Sequence, residues 1–238
     1  MTRYIVTDEQ KIIFQGRQHE LTIRFLKGVL DPGLVNSSLQ IIIEGGGMGF
    51  YQDHYPEIIS DWQNFWHKIT GQEYDFSKIH IPAKPEGKWR LLICIDISLE
   101  KLYAECKKRF PCWSWTDKNF DETVIQNERN AKTSPYAIWA KDEKEADENL
   151  KNLSANDIKA KKMTTETLAE RLIHELEFFD ETGQHLDIKN VTLCSGSRCD
   201  DGGVPYARWN SRCSEMDVYW RSAGYSSGGL RARQAVSI

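Results

Sequence analysis

Apolar positions repeat along this chain with two periods, and where the period changes an element ends. Over 56–70 the residues Ile58, Ile59, Trp62, Phe65, Trp66 and Ile69 fall at helical spacing, with Pro56 at the start and Gly71 just past the end. That pattern predicts an amphipathic helix whose aromatic face is core rather than a ligand box. Over 165–182 a second stripe of Leu168, Leu172, Ile173, Leu176 and Phe179 runs into Gly183, which offers a left-handed stop. This helix is expected to pack beneath a sheet. Residues 88–97 read as a buried strand, 99–110 as a helix capped by Ser98, and 136–140 as a short strand. Between 142 and 162 the chain is acidic and lysine-rich with sparse apolar points, which predicts a solvated helix pair broken near Ser154.

Residues 1–50 carry short apolar runs at 4–6, 12–14, 21–26 and 39–43, separated by polar or glycine-bearing turns, and so predict a small β-rich unit. Residues 71–87 hold Pro82, Pro85 and two glycines without periodicity, the composition of a linker. The expected organisation is therefore α+β in two parts. Residues 1–80 form the β-rich unit with its helix, an adaptor or oligomerisation module, and 87–238 form a second domain. A chain of 238 residues can bury a sizeable core in either arrangement.

The stretch after Asn190 departs from the rest. It contains no lysine and a single glutamate, Glu215, while the preceding residues hold every lysine of the chain. Serine, glycine, tyrosine and arginine dominate, set around Trp209 and Trp220. Tyrosine and arginine give large contacts at modest entropic cost, and serine, glycine and asparagine adapt their hydrogen bonds, so the composition suits a binding surface. A frayed polar tail would match the serine and glycine. It would not spend two tryptophans, nor close on Leu230, Arg231, Ala232, Arg233, Gln234, Ala235 and Val236, which alternate like a strand.

Codon logic adds to this. An AAC or AAT codon whose adenines are exchanged never yields Lys, Glu, Gln, Met or Trp. Over 197–229 only Trp209, Glu215, Met216 and Trp220 lie outside the reachable set, so 29 of 33 residues are compatible. With Leu193-Cys194-Ser195-Gly196-Ser197-Arg198, Val204-Pro205, the two tryptophans and the closing Leu230-Arg231-Ala232-Arg233-Gln234-Ala235-Val236, this region resembles the variable region of the target proteins of diversity-generating retroelements.

The resemblance covers roughly the last third of the chain closely. It implies a C-type-lectin-like fold for the C-terminal domain, with the variable region at about 197–229 and ligand binding as its task. The positions it marks as diversified and ligand-facing are Cys199, Asp200, Gly203, Tyr206, Arg208, Asn210, Ser211, Arg212, Cys213, Ser214, Asp217, Tyr219, Arg221, Ser222, Gly224, Tyr225, Ser226, Ser227, Gly228 and Gly229. Trp209, Trp220, Leu230 and Arg233 are implied as scaffold. The expected anchors are Tyr206, Tyr219 and Tyr225, with Arg208, Arg212 and Arg221 beside them, and the implied partner is a macromolecule, taken to be a protein. No Glu-Pro-Asn or Gln-Pro-Asp triplet occurs, so the calcium-dependent sugar site of vertebrate lectins is not implied.

Other chemistry finds less footing. The net charge of −4 without a concentrated basic face argues against nucleic-acid binding. The start lacks a signal-peptide pattern and no apolar run reaches membrane-spanning length, so the expectation is a chain without a membrane span, cytoplasmic as synthesised, with its final location open. Six cysteines form no Cys-x-x-Cys pair and are expected as free thiols, Cys199 and Cys213 included. The six histidines form no His-Glu-x-x-His motif, and neither metal nor cofactor is expected. The glycines at 45, 46, 47 and 49 fit neither phosphate-loop spacing. The carboxylates Glu170, Glu175, Glu177, Asp180 and Glu181 read as those of a surface helix. The alternative function is a small hydrolase or modifying enzyme with Cys194 or Ser195 as nucleophile and His174 or His185 as base.

Overall fold

A computed structural model describes residues 8–33, 35, 39 and 56–237, and the chain divides into two units, Met1–Asp53 and His54–Ile238.

In the first unit the residues Asp8–Leu26 form one helix, α1, and not the strands expected at 12–14 and 21–26. The two apolar runs are joined by Gln15-Gly16-Arg17-Gln18-His19-Glu20, in which only Gly16 interrupts helix formers. A lone glycine costs a helix about 1 kcal/mol and does not stop it. Glu20 and Arg24 then pair one turn apart at 2.6 Å. The apolar runs at 4–6 and 39–43 lie outside the described residues apart from Leu39, as do the glycines at 45–49.

The second unit begins with α2, Pro56–Thr70. The indole nitrogens of Trp62 and Trp66 donate to the carbonyls of Leu91 and Ile93 at 3.1 and 2.9 Å, which lays the helix on β1, Trp89–Cys94. The unit boundary therefore precedes this helix and does not fall in 71–87. That segment is a packed strap, because Phe76, Ile79 and Ile81 are buried and the carbonyl of Pro82 accepts from Trp139 at 2.7 Å. Its prolines suggested a linker, but its spaced apolar residues have a core to enter.

Next comes α3, Leu99–Arg109, with Ser98 accepting from the Lys101 amide. It is followed by β2 (Cys112–Ser114), α4 (Phe120–Thr123), β3 (Gln126–Asn127) and β4 (Tyr136–Lys141). The charged stretch holds one 3-10 turn, Glu148–Leu150, and one short helix, α5, Ala155–Ala160, started by a Ser154 and Asp157 capping box. It is less solvated than its composition suggests, since Asp147, Leu150, Ala155 and Ile158 are buried. The long helix α6, Leu168–Thr182, has a Thr167 and Glu170 capping box at one end and Gly183 in the left-handed conformation at the other. The strands β5 (Val191–Leu193), β6 (Ser197–Arg198), β7 (Val204–Asn210), β8 (Glu215–Arg221), β9 (Leu230–Arg231) and β10 (Ala235–Val236) complete the unit.

Three sheets result, with strand orders β1-β4-β10, β2-β8-β7-β5-β9 and β3-β6. The unit is thus α+β, with α3 packed against α6, and α6 against both β1 and β7. One apolar core links α2, α3, α6, the three-stranded sheet and one face of the five-stranded sheet. A second, smaller core lies on the other face of that sheet, where Leu150, Ala155 and Ile158 meet Leu193, Val204 and Leu230.

Helix α6 is not a surface helix. Glu170, Arg171, His174 and Glu175 are fully buried along with its leucines. They survive burial because they are matched. Arg171 pairs with Glu175 at 2.8 Å and with Asp187 at 2.8 Å, and Asp187 also pairs with Arg233 at 2.8 Å and accepts from Thr192 at 2.5 Å. Glu170 takes the guanidinium of Arg129 at 2.7 Å and the hydroxyl of Tyr136 at 2.8 Å.

Candidate ligand-binding face

The long hairpin β7–β8 carries most of the marked positions, and strand geometry sorts them. Successive side chains point to opposite faces. The register sets Pro205 opposite Trp220, Ala207 opposite Val218 and Trp209 opposite Met216, and these residues face the main core. The intervening pairs, Val204 with Arg221, Tyr206 with Tyr219, Arg208 with Asp217 and Asn210 with Glu215, face the other way. Three of the four residues that adenine-exchanged codons cannot supply, Trp209, Met216 and Trp220, thus lie on the inner side.

The outer face is aromatic, with two arginines set beside two carboxylates. Tyr206 and Tyr219 are cross-strand neighbours with ring centroids 5.7 Å apart. The guanidinium of Arg221 lies over the rings of Tyr206, Tyr219 and Tyr225 at 5.5, 5.4 and 5.3 Å. Arg208 and Asn210 both reach Asp217 at 3.0 Å, which holds that carboxylate nearly buried within the face. Burial raises the Tyr206 hydroxyl above its ordinary value, so it stays a hydrogen-bond donor. At one end Trp113 stacks on Tyr219 at 5.4 Å while 44% exposed. Trp113 escaped the sequence reading because β2 joins this sheet by parallel pairing with β8, Trp113 facing Asp217 in register. Its only sequence signal is the alternation Trp113-Ser114-Trp115.

Of the remaining marked positions, Ser211, Arg212, Cys213 and Ser214 form the exposed hairpin tip, with Ser214 at φ 55. Ser222, Gly224, Tyr225, Ser226, Gly228 and Gly229 lie exposed in the loop 222–229, and Ser227 there is half-buried. Asp200 is exposed in the turn before β7. Cys199 and Gly203 do not join the face. Cys199 is buried in the main core, where desolvation pushes its thiol up to about 12. A Cβ on Gly203 would stand 2.7 Å from Cε3 of Trp220 and 2.9 Å from Oδ1 of Asp201, so a side chain there must displace the tryptophan.

The scaffold positions are tied together from below. Trp209 stacks on His185 with centroids 3.4 Å apart and planes 4° from parallel. His185 Nδ1 meets Glu175 at 2.8 Å, and Glu175 leads through Arg171 and Asp187 to Arg233. Arg233 is fully buried, and its guanidinium also reaches Thr192 Oγ1 and the carbonyls of Glu143 and Lys144 at 3.2, 2.9 and 2.9 Å. Leu230 is buried in the smaller core, and Trp220 is half-buried over Gly203.

The residues of the hydrolase alternative are placed differently. Cys194 is fully buried, and desolvation holds its thiol well above the ordinary range. Ser195 is buried with its hydroxyl 2.5 Å from that of Thr165. His174 is buried against Glu166 at 2.8 Å, and His185 is committed to Trp209 and Glu175. The turn instead clasps helix α6. Ser197 Oγ accepts the Leu168 amide at 2.9 Å, and Gly196 is pressed so close that a Cβ would lie 2.9 Å from the Thr165 carbonyl. Among the described residues no group of three His, Cys, Asp or Glu side chains could hold a metal ion, and no helix is long and apolar enough to cross a membrane. No protein-family model matches this chain, and neither a curated protein nor a solved structure does.

Proposed function

We propose that this protein binds a macromolecular ligand, a protein, through the outer face of β7–β8 and the adjoining loop 222–229. In this reading the surface is one variant of a retroelement-diversified set carried on a C-type-lectin-like domain. The observation that carries the proposal is the coincidence of two alternations. On the hairpin, the positions the resemblance marks as diversified are the outward ones, and the residues outside the codon set that point inward are those the core needs. Substitutions away from packed features cost within about 0.5 kcal/mol, so a face of this kind can vary while its backbone is held from beneath. Support for the C-type-lectin-like fold is the β1-then-α3 opening and the packing of α6 under the sheet that bears the face. Cys199 and Gly203 are excluded from the displayed set by their burial.

The test is sequencing of the 3′ end of the gene and its flanking DNA across one population of source cells. The expected result is a nearby near-copy of codons 197–229 that differs mainly at template adenines, with variation concentrated at outward positions. An invariant region with no near-copy overturns the diversification reading.

A further inference from the structure

Arg208 and Arg221 both belong to the outer face, but they differ in what neutralises them. Arg208 forms an ion pair with Asp217 at 3.0 Å. Arg221 has no carboxylate or carbonyl partner among the described residues and is held by three tyrosine rings at 5.3 to 5.5 Å. A ring quadrupole attracts a cation and restrains its position without cancelling its charge or consuming its N–H donors. The result is an exposed, positioned and unneutralised guanidinium, with the rings of Tyr206, Tyr219 and Tyr225 around it and Trp113 stacked on Tyr219. Loss of side-chain freedom is part of what binding a carboxylate costs, and here much of it is already spent in folding.

We infer that Arg221 is the anchor for a carboxylate of an acidic protein segment, gripped by its guanidinium fork while the surrounding rings take the apolar side chains beside that carboxylate. The inference rests on the binding-face reading and names the chemistry of the partner. Charge complementarity selects the occupant. Arg221 has no carboxylate partner among the described residues, so this end of the face offers one cation to a single acidic group set among apolar ones. A nucleic acid is a poorer fit, because a run of phosphates requires cations in a row. Here Asp217 and Glu215 lie on the same face, and Asp200 and Asp201 stand exposed in the turn that leads into β7.

The experiment uses the full chain and follows the side-chain Nε–H signals of its arginines by NMR. The probes are an alternating Leu/Glu peptide, its Leu/Gln counterpart and a short oligodeoxythymidylate. The expected result is a saturable shift of the Arg221 signal with the Leu/Glu peptide and none with Leu/Gln. Arg221→Gln, with a melting temperature lowered by no more than about 4 °C, should weaken that binding about tenfold or more, as loss of a charge-assisted hydrogen bond does. Tyr225→Phe should retain it and Tyr225→Ala reduce it, since the ring and not the hydroxyl positions the guanidinium. Equal binding of both peptides, full binding by Arg221→Gln, or binding of the oligonucleotide alone overturns the inference. So does the absence of a saturable shift at the highest soluble peptide concentration. A near-copy of the gene found together with any of these results sinks the carboxylate anchor and leaves the diversified face standing.

Discussion

Two arginines twelve positions apart in sequence should respond to the same substitution with losses of very different size. Arg233→Ala removes a fully buried guanidinium that holds Asp187, Thr192 and the carbonyls of Glu143 and Lys144. Asp187 keeps Arg171 and Thr192, so its charge is not stranded. The Lys144 carbonyl keeps the Asp187 amide as donor at 2.8 Å, so the hydrogen-bond loss falls on the partly buried Glu143 carbonyl, at about 1–3 kcal/mol. Removal of one partner from a buried ion pair costs about 3–5 kcal/mol as a whole. The overlapping terms place the loss near 4 kcal/mol, which for a unit of this size lowers the melting temperature by about 12 °C. Arg221→Ala removes exposed cation–π contacts worth about 0.5–1 kcal/mol. All eight tryptophans lie beyond residue 54, so intrinsic fluorescence during thermal or urea unfolding reports on that unit alone. If Arg233→Ala is no more destabilising than Arg221→Ala, the division between scaffold and display drawn from burial is wrong.

Three other outcomes follow from the same geometry. Burial raises the Glu166 carboxyl from 4.5 to about 8 and lowers its partner His174, so the folded state holds a proton on Glu166 that the unfolded chain has released. The stability from Glu166 is present below 4.5 and is lost as pH rises toward about 8, while His174, held neutral in the fold, contributes the opposite slope below its ordinary 6.5, so the net loss falls between about 6.5 and 8; Glu166→Gln should flatten the slope in that window in urea unfolding, and an unchanged slope there counts against it. Gly203→Ala should cost about 1–3 kcal/mol through its clash with Trp220, whereas Gly228→Ala, which meets only open space, should be near neutral; equal effects would return Gly203 to the displayed set. In the native protein Cys213 should be the one thiol that Ellman's reagent modifies quickly, because it is exposed while Cys94, Cys106, Cys194 and Cys199 are buried and Cys112 is raised to about 12. A second fast thiol would reopen the nucleophile reading.

What could be read from the sequence was whatever rests on local periodicity. Helices α2, α3 and α6 and strands β1 and β4 follow from apolar spacing, Ser98 and Gly183, because each signal lies within a turn or two of the residue it controls. Long-range pairing was not legible. The parallel β2–β8 register that brings Trp113 onto the face joins segments about a hundred residues apart. The buried charges of α6 looked like surface because their partners, Arg129, Asp187 and Arg233, come from distant loops and strands. Periodicity also fails at α1, where the polar residues between two apolar runs have the composition of a turn but continue the helix. At the face itself, the tryptophan and codon pattern marked the region as a whole, and only the folded packing separates Tyr206 and Arg221, which point outward on the hairpin, from Cys199 and Gly203, which are buried.

Residues 230–236 follow the hairpin and loop of the proposed binding face and close both larger sheets, with Leu230–Arg231 on β5, Ala235–Val236 on β4 and Arg233 in the buried ion cluster between them. Reading frame thereby becomes a condition of folding. A frameshift or stop codon within 197–229 deletes both strands and the arginine together, and the aborted chain is lost to unfolding before it meets any ligand. Exchange of the adenines in an AAC or AAT codon never creates a stop, so under the proposed diversification substitution at such codons would pass this filter while frame-shifting copying errors would not. In that proposal, error in the surface is tolerated and error in the message is screened out by the fold.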